Sequence, residues 1–358
     1  MGGSSGPSYF GTLTSSRKKL QLIVKIPQDL TIDEAMLQTV DAPDIPPDVI
    51  LGRNAHNQPI TLFGCFCRPE TREGLKTLRI DAIAAIDGLE VADWNQPAIR
   101  TALIQIDPIS IWLGGQALIA TNKNGKEGFT LPSATDLSFQ ISEGVELGIW
   151  CSTGISSSQE KVSFAQGSSV WLQFDRPRSV QEISDDWVPW VDRLFSLLIG
   201  SGIRHQSVTC HEDKFFGENS KPLGKKGELI RKGGRAPTRA DEISLWDMVT
   251  RYSELSDNFG KIIAKWTEVA DRYEALVDLF SIAAFNRSLH TQAEFLFLVQ
   301  ALEVYHARSP SFDSMLVAKD AHKARVERAV TAVPDDLKDW VERTLRAANN
   351  KHLDVRSI

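Results

Sequence analysis

Cysteine is scarce in this chain, with four in 358 residues: Cys65, Cys67, Cys151 and Cys210. That excludes a disulfide framework of the kind small secreted domains depend on. It also leaves zinc without ligands, because no C-x2-C pair or histidine equivalent occurs. Cys65 and Cys67 fall on one face of a strand, and Cys210 is followed by His211. The thiols are therefore expected to be buried and free, in a reducing cytoplasm, with no metal and no other cofactor. No G-x-S-x-G, no Walker loop and no G-x-G-x-x-G following a strand is present. Gly224 and Gly227 lie among lysines without the strand-loop-helix setting of a phosphate loop. No apolar run reaches the ~20 residues that cross a bilayer, and no signal peptide opens the chain. Positive charge is not in excess either: 40 Lys+Arg stand against 46 Asp+Glu, a net charge of -6. A strongly basic nucleic-acid binder is excluded, whereas a local basic patch is not.

What is present divides in two. The first half is written in period two. Leu20, Leu22, Val24 and Ile26 alternate, as do Leu137, Phe139 and Ile141, then Val145, Leu147 and Ile149 after Glu143-Gly144, then Val170, Leu172 and Phe174. Ile60–Phe66, Leu75–Val91 and Ile99–Leu113 read as further strands, the last interrupted by Pro108. Alternation between turn signals marks antiparallel sheets covered on one face, so a sandwich or barrel-like domain is expected. Trp94, Trp112, Trp150 and Trp171 are assigned to its core rather than to a carbohydrate-stacking platform, which needs exposed coplanar indoles. Arg178–Gly200 has helical spacing (Trp187, Trp190, Val191, Leu194, Phe195, Leu198), with Ser179 or Ser184 as cap and Pro189 near the start. Gln206–Cys210 reads as one more strand.

Lys221–Arg239 breaks the pattern. It holds seven basic residues against Glu228 alone, with four glycines and two prolines. A flexible basic loop is expected, either a solvated connection or a segment whose Lys225, Lys226, Arg231, Lys232 and Arg235 touch RNA phosphates. Such contacts give salt-dependent affinity without sequence readout.

Beyond Ile243 the pattern is helical. One helix carries Ile262, Ile263, Trp266, Val269 and Tyr273, starting at Asp257-Asn258 and continuing past Leu276 and Phe280 to a break near Asn286. The next, ending at Ser309-Pro310-Ser311, has five apolar residues in a row (Phe295–Val299) and little polar face. It is expected to be the central, buried helix of an all-α domain. A third is expected over Ser314–Val333, and a fourth from Pro334 with Asp335 and Asp336 in its first turn and Trp340, Val341 and Leu345 facing inward. Asp185-Asp186 likewise marks a helix start rather than a catalytic pair. The whole is an α+β chain of two domains: a tail (1–8), a β-rich domain (9–215), the basic connection (216–242) and a helical domain (243–358).

Several fragments carry a family resemblance. Gly11-Thr12-Leu13-Thr14, the LQLIV run at 20–24, Leu51-Gly52-Arg53-Asn54 and Ile60-Thr61-Leu62 resemble the ApeA N-terminal domain, with Gln58 where that family often has glycine. Asn286-Arg287-Ser288-Leu289, Glu294-Phe295-Leu296, Leu298-Val299-Gln300-Ala301-Leu302-Glu303 and Tyr305-His306 resemble the ApeA-like HEPN domain. The resemblance implies anti-phage, abortive-infection defence, a phage-derived trigger, a helical bundle that forms a homodimer, and a metal-independent RNase. HEPN nucleases use an arginine followed, after four to six residues, by a histidine. The histidine moves the 2′-hydroxyl proton and the arginine holds the charged transition state.

Three positions compete for that motif. Arg287 and His290 are too close together. His306 has no arginine at the right spacing and is expected to bond Glu303 or a backbone carbonyl. Arg346 and His352, with five residues between them, fit and are the candidate catalytic pair. The family pattern places the motif helix further on, so the chain is also expected to be truncated. A non-catalytic module that dimerises and binds a phage component is the alternative.

Overall fold

The computed structural model describes residues 10–16, 19–25, 49–72, 75–114, 119–123, 126–130, 135–157, 162–214, 224–233, 237–239, 242–244, 246, 248–285, 289–309 and 326–341. The expected tail at 1–8 lies outside them. The chain forms two compact units, Met1–Thr267 and Glu268–Ile358.

The first unit is built on strands β1 (Gly11–Ser16), β2 (Lys19–Lys25), β3 (Ile50–Arg53), β4 (Pro59–Phe63), β5 (Phe66–Arg72), β6 (Leu75–Asp81), β7 (Ala84–Asp87) and β8 (Pro97–Gln105). Then follow β9 (Ile119–Lys123), β10 (Lys126–Thr130), β11 (Thr135–Ser142), β12 (Val145–Ser157), β13 (Val162–Ser179), β14 (Ser207–His211) and β15 (Lys226–Arg231). They make a four-stranded sheet in the order β1-β2-β6-β5 and a nine-stranded sheet in the order β11-β12-β13-β8-β14-β15-β7-β4-β3, with β9 and β10 as a separate pair. Every strand pairing is antiparallel. The alternating residues do what period two requires: Val145, Leu147, Ile149, Val170, Leu172 and Phe174 are all buried. Leu20 of the small sheet shares a core with Leu62 and Ala85 of the large one, and Leu13, Leu22, Ile50, Ile60 and Ile230 close around it. The two sheets thus share one hydrophobic core. The sequence fragments GTLT and LQLIV are cross-strand partners, Gly11 opposite Val24, and Gly52 lies opposite Ile60.

Three stretches depart from expectation. Leu75–Val91 is not one strand: the chain leaves the small sheet after Asp81 and enters the large one at Ala84. Ile99–Leu113 ends as a strand at Gln105, and Pro108 opens a short helix, α1 (Pro108–Trp112). A proline without an amide hydrogen and with a helical φ suits that first turn. Most consequentially, the expected basic loop contains β15, an interior strand hydrogen-bonded to β14 on one side and β7 on the other. Gly227 reads locally as a breaker, but it is a point of close approach. A Cβ there would stand 2.9 Å from Ile86 Cγ1 and 3.0 Å from the Asp87 carbonyl oxygen.

The helical stretch after β13 consists of α2 (Val180–Glu182), a π-helical turn (Ile183–Trp187) and α3 (Val188–Ile199). Ser179 is the cap: its Oγ accepts from Glu182 N at 3.1 Å, and Glu182 Oε2 accepts from Ser179 N at 2.8 Å. Gly200, at φ 79°, ends α3 in the left-handed conformation. The apolar face of α3 (Trp190, Val191, Leu194, Phe195, Leu198) is buried as expected. Of the four N-terminal tryptophans, Trp112 and Trp171 are buried, and Trp94 packs on Phe63 at 4.7 Å. Trp150 is more open.

The unit extends past residue 242. Around Trp112 gather Phe195 (5.7 Å between centroids), Tyr252 (5.4 Å) and Phe259 (5.2 Å), with Phe139 at 5.1 Å from Phe259. Tyr252 begins α4 (Tyr252–Leu255) and Phe259 begins α5 (Phe259–Arg272). The segment expected to open the helical domain therefore supplies core to the β-rich one, and the first unit ends at Thr267.

In the second unit α6 (Glu274–Phe285) and α7 (Thr291–Arg308) form an antiparallel hairpin. Arg272 donates to the Arg308 carbonyl at 3.3 Å and Arg308 donates to the Arg272 carbonyl at 3.2 Å, while Tyr273 and Tyr305 lie 5.8 Å apart. The expected burial of α7 is not met. Ala301 is its one buried residue among those described, and Phe295 is 69% exposed and Leu302 66%. One helical neighbour covers a single stripe of a helix, and this apolar surface goes most of the way round. Of the third expected helix, 326–331 is described and helical; the fourth begins as a 3-10 turn at Asp335–Leu337 after Pro334. Trp340, expected in the core, is exposed among the described residues.

Candidate functional site

β15 separates the basic residues that sequence grouped together. Lys225 and Lys226 stand at one end and Arg231 and Lys232 at the other, roughly 17 Å away at ~3.3 Å per residue. Arg235 lies outside the described residues.

At the Lys226 end, neighbouring strands contribute charges from distant sequence. His211 is opposite both Lys226 and Thr101. Glu212 N donates to the Lys225 carbonyl at 3.3 Å. Lys214 Nζ contacts Asp175 Oδ1 at 2.7 Å, and Arg100 donates to the Asp175 carbonyl at 2.8 Å. Lys225 and Lys226 are exposed beside this network. His211 is buried, and burial together with the Lys226 ammonium holds its imidazole below the ordinary 6.5. The unfolded chain takes up a proton near 6.5 that the folded chain refuses until lower pH. Stability should therefore fall as pH drops below about 6.5 and stop falling once the folded histidine is also charged. Denaturation of wild type and His211→Gln between pH 7 and 5 should give a steeper loss for wild type; parallel slopes would remove His211 from the account.

At the opposite end Arg231 is committed to structure. It reaches Asp185 at 2.8 Å and donates to the Ser184 carbonyl at 3.0 Å and to Ser184 Oγ at 2.9 Å, pinning the π-helical turn. A further group, on α3, is one that sequence reasoning missed. Asp192 of α3 is buried, its side chain 5% exposed, and its Oδ2 is 3.0 Å from His205 Nδ1 and 3.8 Å from Arg204. A carboxylate only accepts, so Nδ1 is the donor and Nε2 is left facing away. The loop carrying Arg204 and His205 is fixed by its own backbone. Ile203 N donates to Ser196 Oγ (2.8 Å), Arg204 N to Thr238 Oγ1 (3.0 Å), Thr238 Oγ1 to the Gly202 carbonyl (2.9 Å) and Gln206 N to the Gln105 carbonyl (2.8 Å). Gln206 also donates to Asp107. Burial pushes that carboxyl up, against the hydrogen bonds from Gln105 and Gln206 and the charge of Arg239. The signal for this cluster was in the sequence: Asp192 is a carboxylate on the inward stripe of an apolar helix.

The candidate catalytic residues of the helical unit fall largely outside the described residues. Arg287, Arg346 and His352 lie outside them. His290 caps α7 by position, without a side-chain cap bond, and His306 is exposed near its end. Among the described residues no group of three metal-ligating side chains converges, and no helix is long and apolar enough to cross a membrane. The four cysteines form no disulfide; Cys151 and Cys210 are buried and Cys65 and Cys67 partly so.

No curated protein and no solved structure matches the chain. The family model described as ApeA N-terminal domain 1 matches residues 4–266, ending beside the last residue of the first compact unit. That span takes in every strand from β1 to β15, the Asp192–His205 cluster and the Trp112 core, and with most of its length inside the match the chain belongs to the ApeA N-terminal domain 1 family.

Proposed function

We propose that this chain acts in anti-phage defence, its β-rich unit sensing a phage-derived trigger and restraining a helical unit that is a HEPN-type, metal-independent RNase. The observation that carries the reading is family membership over residues 4–266. The HEPN-like run Leu298–His306 supports the second half, since it falls within one helix, α7. Arg346 and His352 are the catalytic pair of this proposal, with Lys225 and Lys226 as phosphate contacts, in a cytoplasmic protein without metal or other cofactor. Arg231 is better explained by Asp185 and Ser184.

The test is RNA cleavage in EDTA, with the trigger supplied by infected-cell extract. Cleavage by wild type and its loss by several orders of magnitude in His352→Ala is the expected result. Equal cleavage by both would remove His352 from catalysis. A second reading, a non-catalytic module that dimerises through its helices and binds a phage component, is favoured by the exposed apolar residues Phe295, Leu296, Leu302 and Tyr305 of α7. No cleavage under any trigger, with a dimer in solution, would favour it.

A further inference from the structure

We infer that Arg204 and His205 form a binding site for a phosphate group on the β-rich unit. The inference is independent of whether the helical unit cleaves RNA. Arg204 carries a permanently charged fork of five donors. Its side chain is 41% exposed, so more than half of it is already covered, yet the guanidinium makes no hydrogen bond to any described residue. Its nearest carboxylate oxygen, on Asp192, is 3.8 Å away, an attraction rather than a hydrogen bond. A guanidinium anchored through its stem, with its donors uncommitted, is poised for an acceptor that arrives from solution.

His205 supplies the second contact. Asp192 holds Nδ1 at 3.0 Å, which fixes the ring plane and leaves Nε2 without a partner among the described residues. When both nitrogens carry protons, Nε2 donates outward while the buried Asp192 carboxylate balances the charge behind it. The supporting loop needs nothing from a ligand, because its backbone bonds to Ser196, Thr238 and Gln105 are already made. The two donors are thus held in place before binding, which lowers the ordering cost of capturing an anion. The positive flank continues with Arg239, next to the Thr238 that bonds Arg204, and its charge reaches Asp107. A tetrahedral dianion matches adjacent Arg and His donors better than a singly charged carboxylate does.

The probes are inorganic phosphate, adenosine 5′-monophosphate and a short single-stranded RNA without terminal phosphates, each titrated at constant ionic strength. The readout is the His205 Hε1 resonance, identified by its loss in His205→Gln. A saturable shift with at least one probe is expected, weakened about tenfold or more in Arg204→Gln, as losing a charge-assisted donor group implies. Arg204→Gln should melt within a few degrees of wild type. A response to phosphate and the monophosphate alone assigns the site to terminal phosphates; a response to the RNA as well assigns it to phosphodiesters. No saturable shift with any probe, or shifts that Arg204→Gln leaves unchanged, would overturn the site.

Discussion

Gly148→Ala should unfold the β-rich unit or come close to it. Gly148 on β12 is the cross-strand partner of Trp171 on β13. The indole lies across the glycine so closely that a Cβ built there falls within the ring, at Cε2, Cζ2 and Nε1. Trp171 is itself buried, so the ring has nowhere to retreat without disturbing the core. Overpacking of ordinary cores costs about 1–3 kcal/mol; a rigid bicyclic ring pressed on backbone should put this change at the top of that range or above. Denaturant titration measures it. Trp171→Leu, which loses packing but clears the space, should make Gly148→Ala far milder in the double variant, a coupling that distant sites do not show. A Gly148→Ala protein within about 1 kcal/mol of wild type would mean that the indole is free to move, contrary to its burial.

Trp112→Ala should be the second most damaging change. Trp112 has no exposed surface, and its ring is the meeting point of α1, α3 through Phe195, and the 252–259 segment through Tyr252 and Phe259. Its Nε1 donates to Thr250 Oγ1 at 3.4 Å. Removing a buried tryptophan costs about 3–5 kcal/mol, and edge-to-face contacts add to the area term. The loss should also be local in a telling way. Limited proteolysis of the variant should cut between Thr250 and Phe259 before it cuts the strands. If the strands are cut first, Trp112 is not what fastens that segment.

The strands that were legible in sequence are those with one wet face. In β11, Asp136, Ser138 and Gln140 are exposed while Leu137, Phe139 and Ile141 are covered to varying degrees, which is what alternation encodes. The helix at Val180–Ile199 was legible through its cap and spacing. β15 was not. Its glycine and the basic residues around it read as loop because the reason for the glycine, the Ile86 side chain and Asp87 carbonyl beside it, lies far away in the chain. Local composition cannot report a non-local neighbour. The apolar run in α7 failed differently: sequence registers that a surface is oily, not whether another element covers it. His205 escaped because its meaning depends on Asp192 across a turn, and histidine next to arginine is unremarkable as text. The membership of residues 250–266 in the β-rich unit was hidden for the same reason, since Trp112 is their anchor.

The position of β15 also has a consequence for synthesis. In the large sheet β15 alone joins the group β3, β4 and β7 to the group running from β11 to β14. The first group leaves the ribosome early, and its β7 edge must wait for Lys226–Arg231, more than a third of the chain later. At ~5–20 residues per second that wait is on the order of ten seconds. For that time a nascent chain presents an open strand edge flanked by Ile86 and Leu89, the kind of template to which another nascent chain can add. Misassembly during synthesis is therefore a hazard built into this strand order, and Lys226, Glu228 and Arg231 of β15 help keep the late strand itself soluble until it arrives.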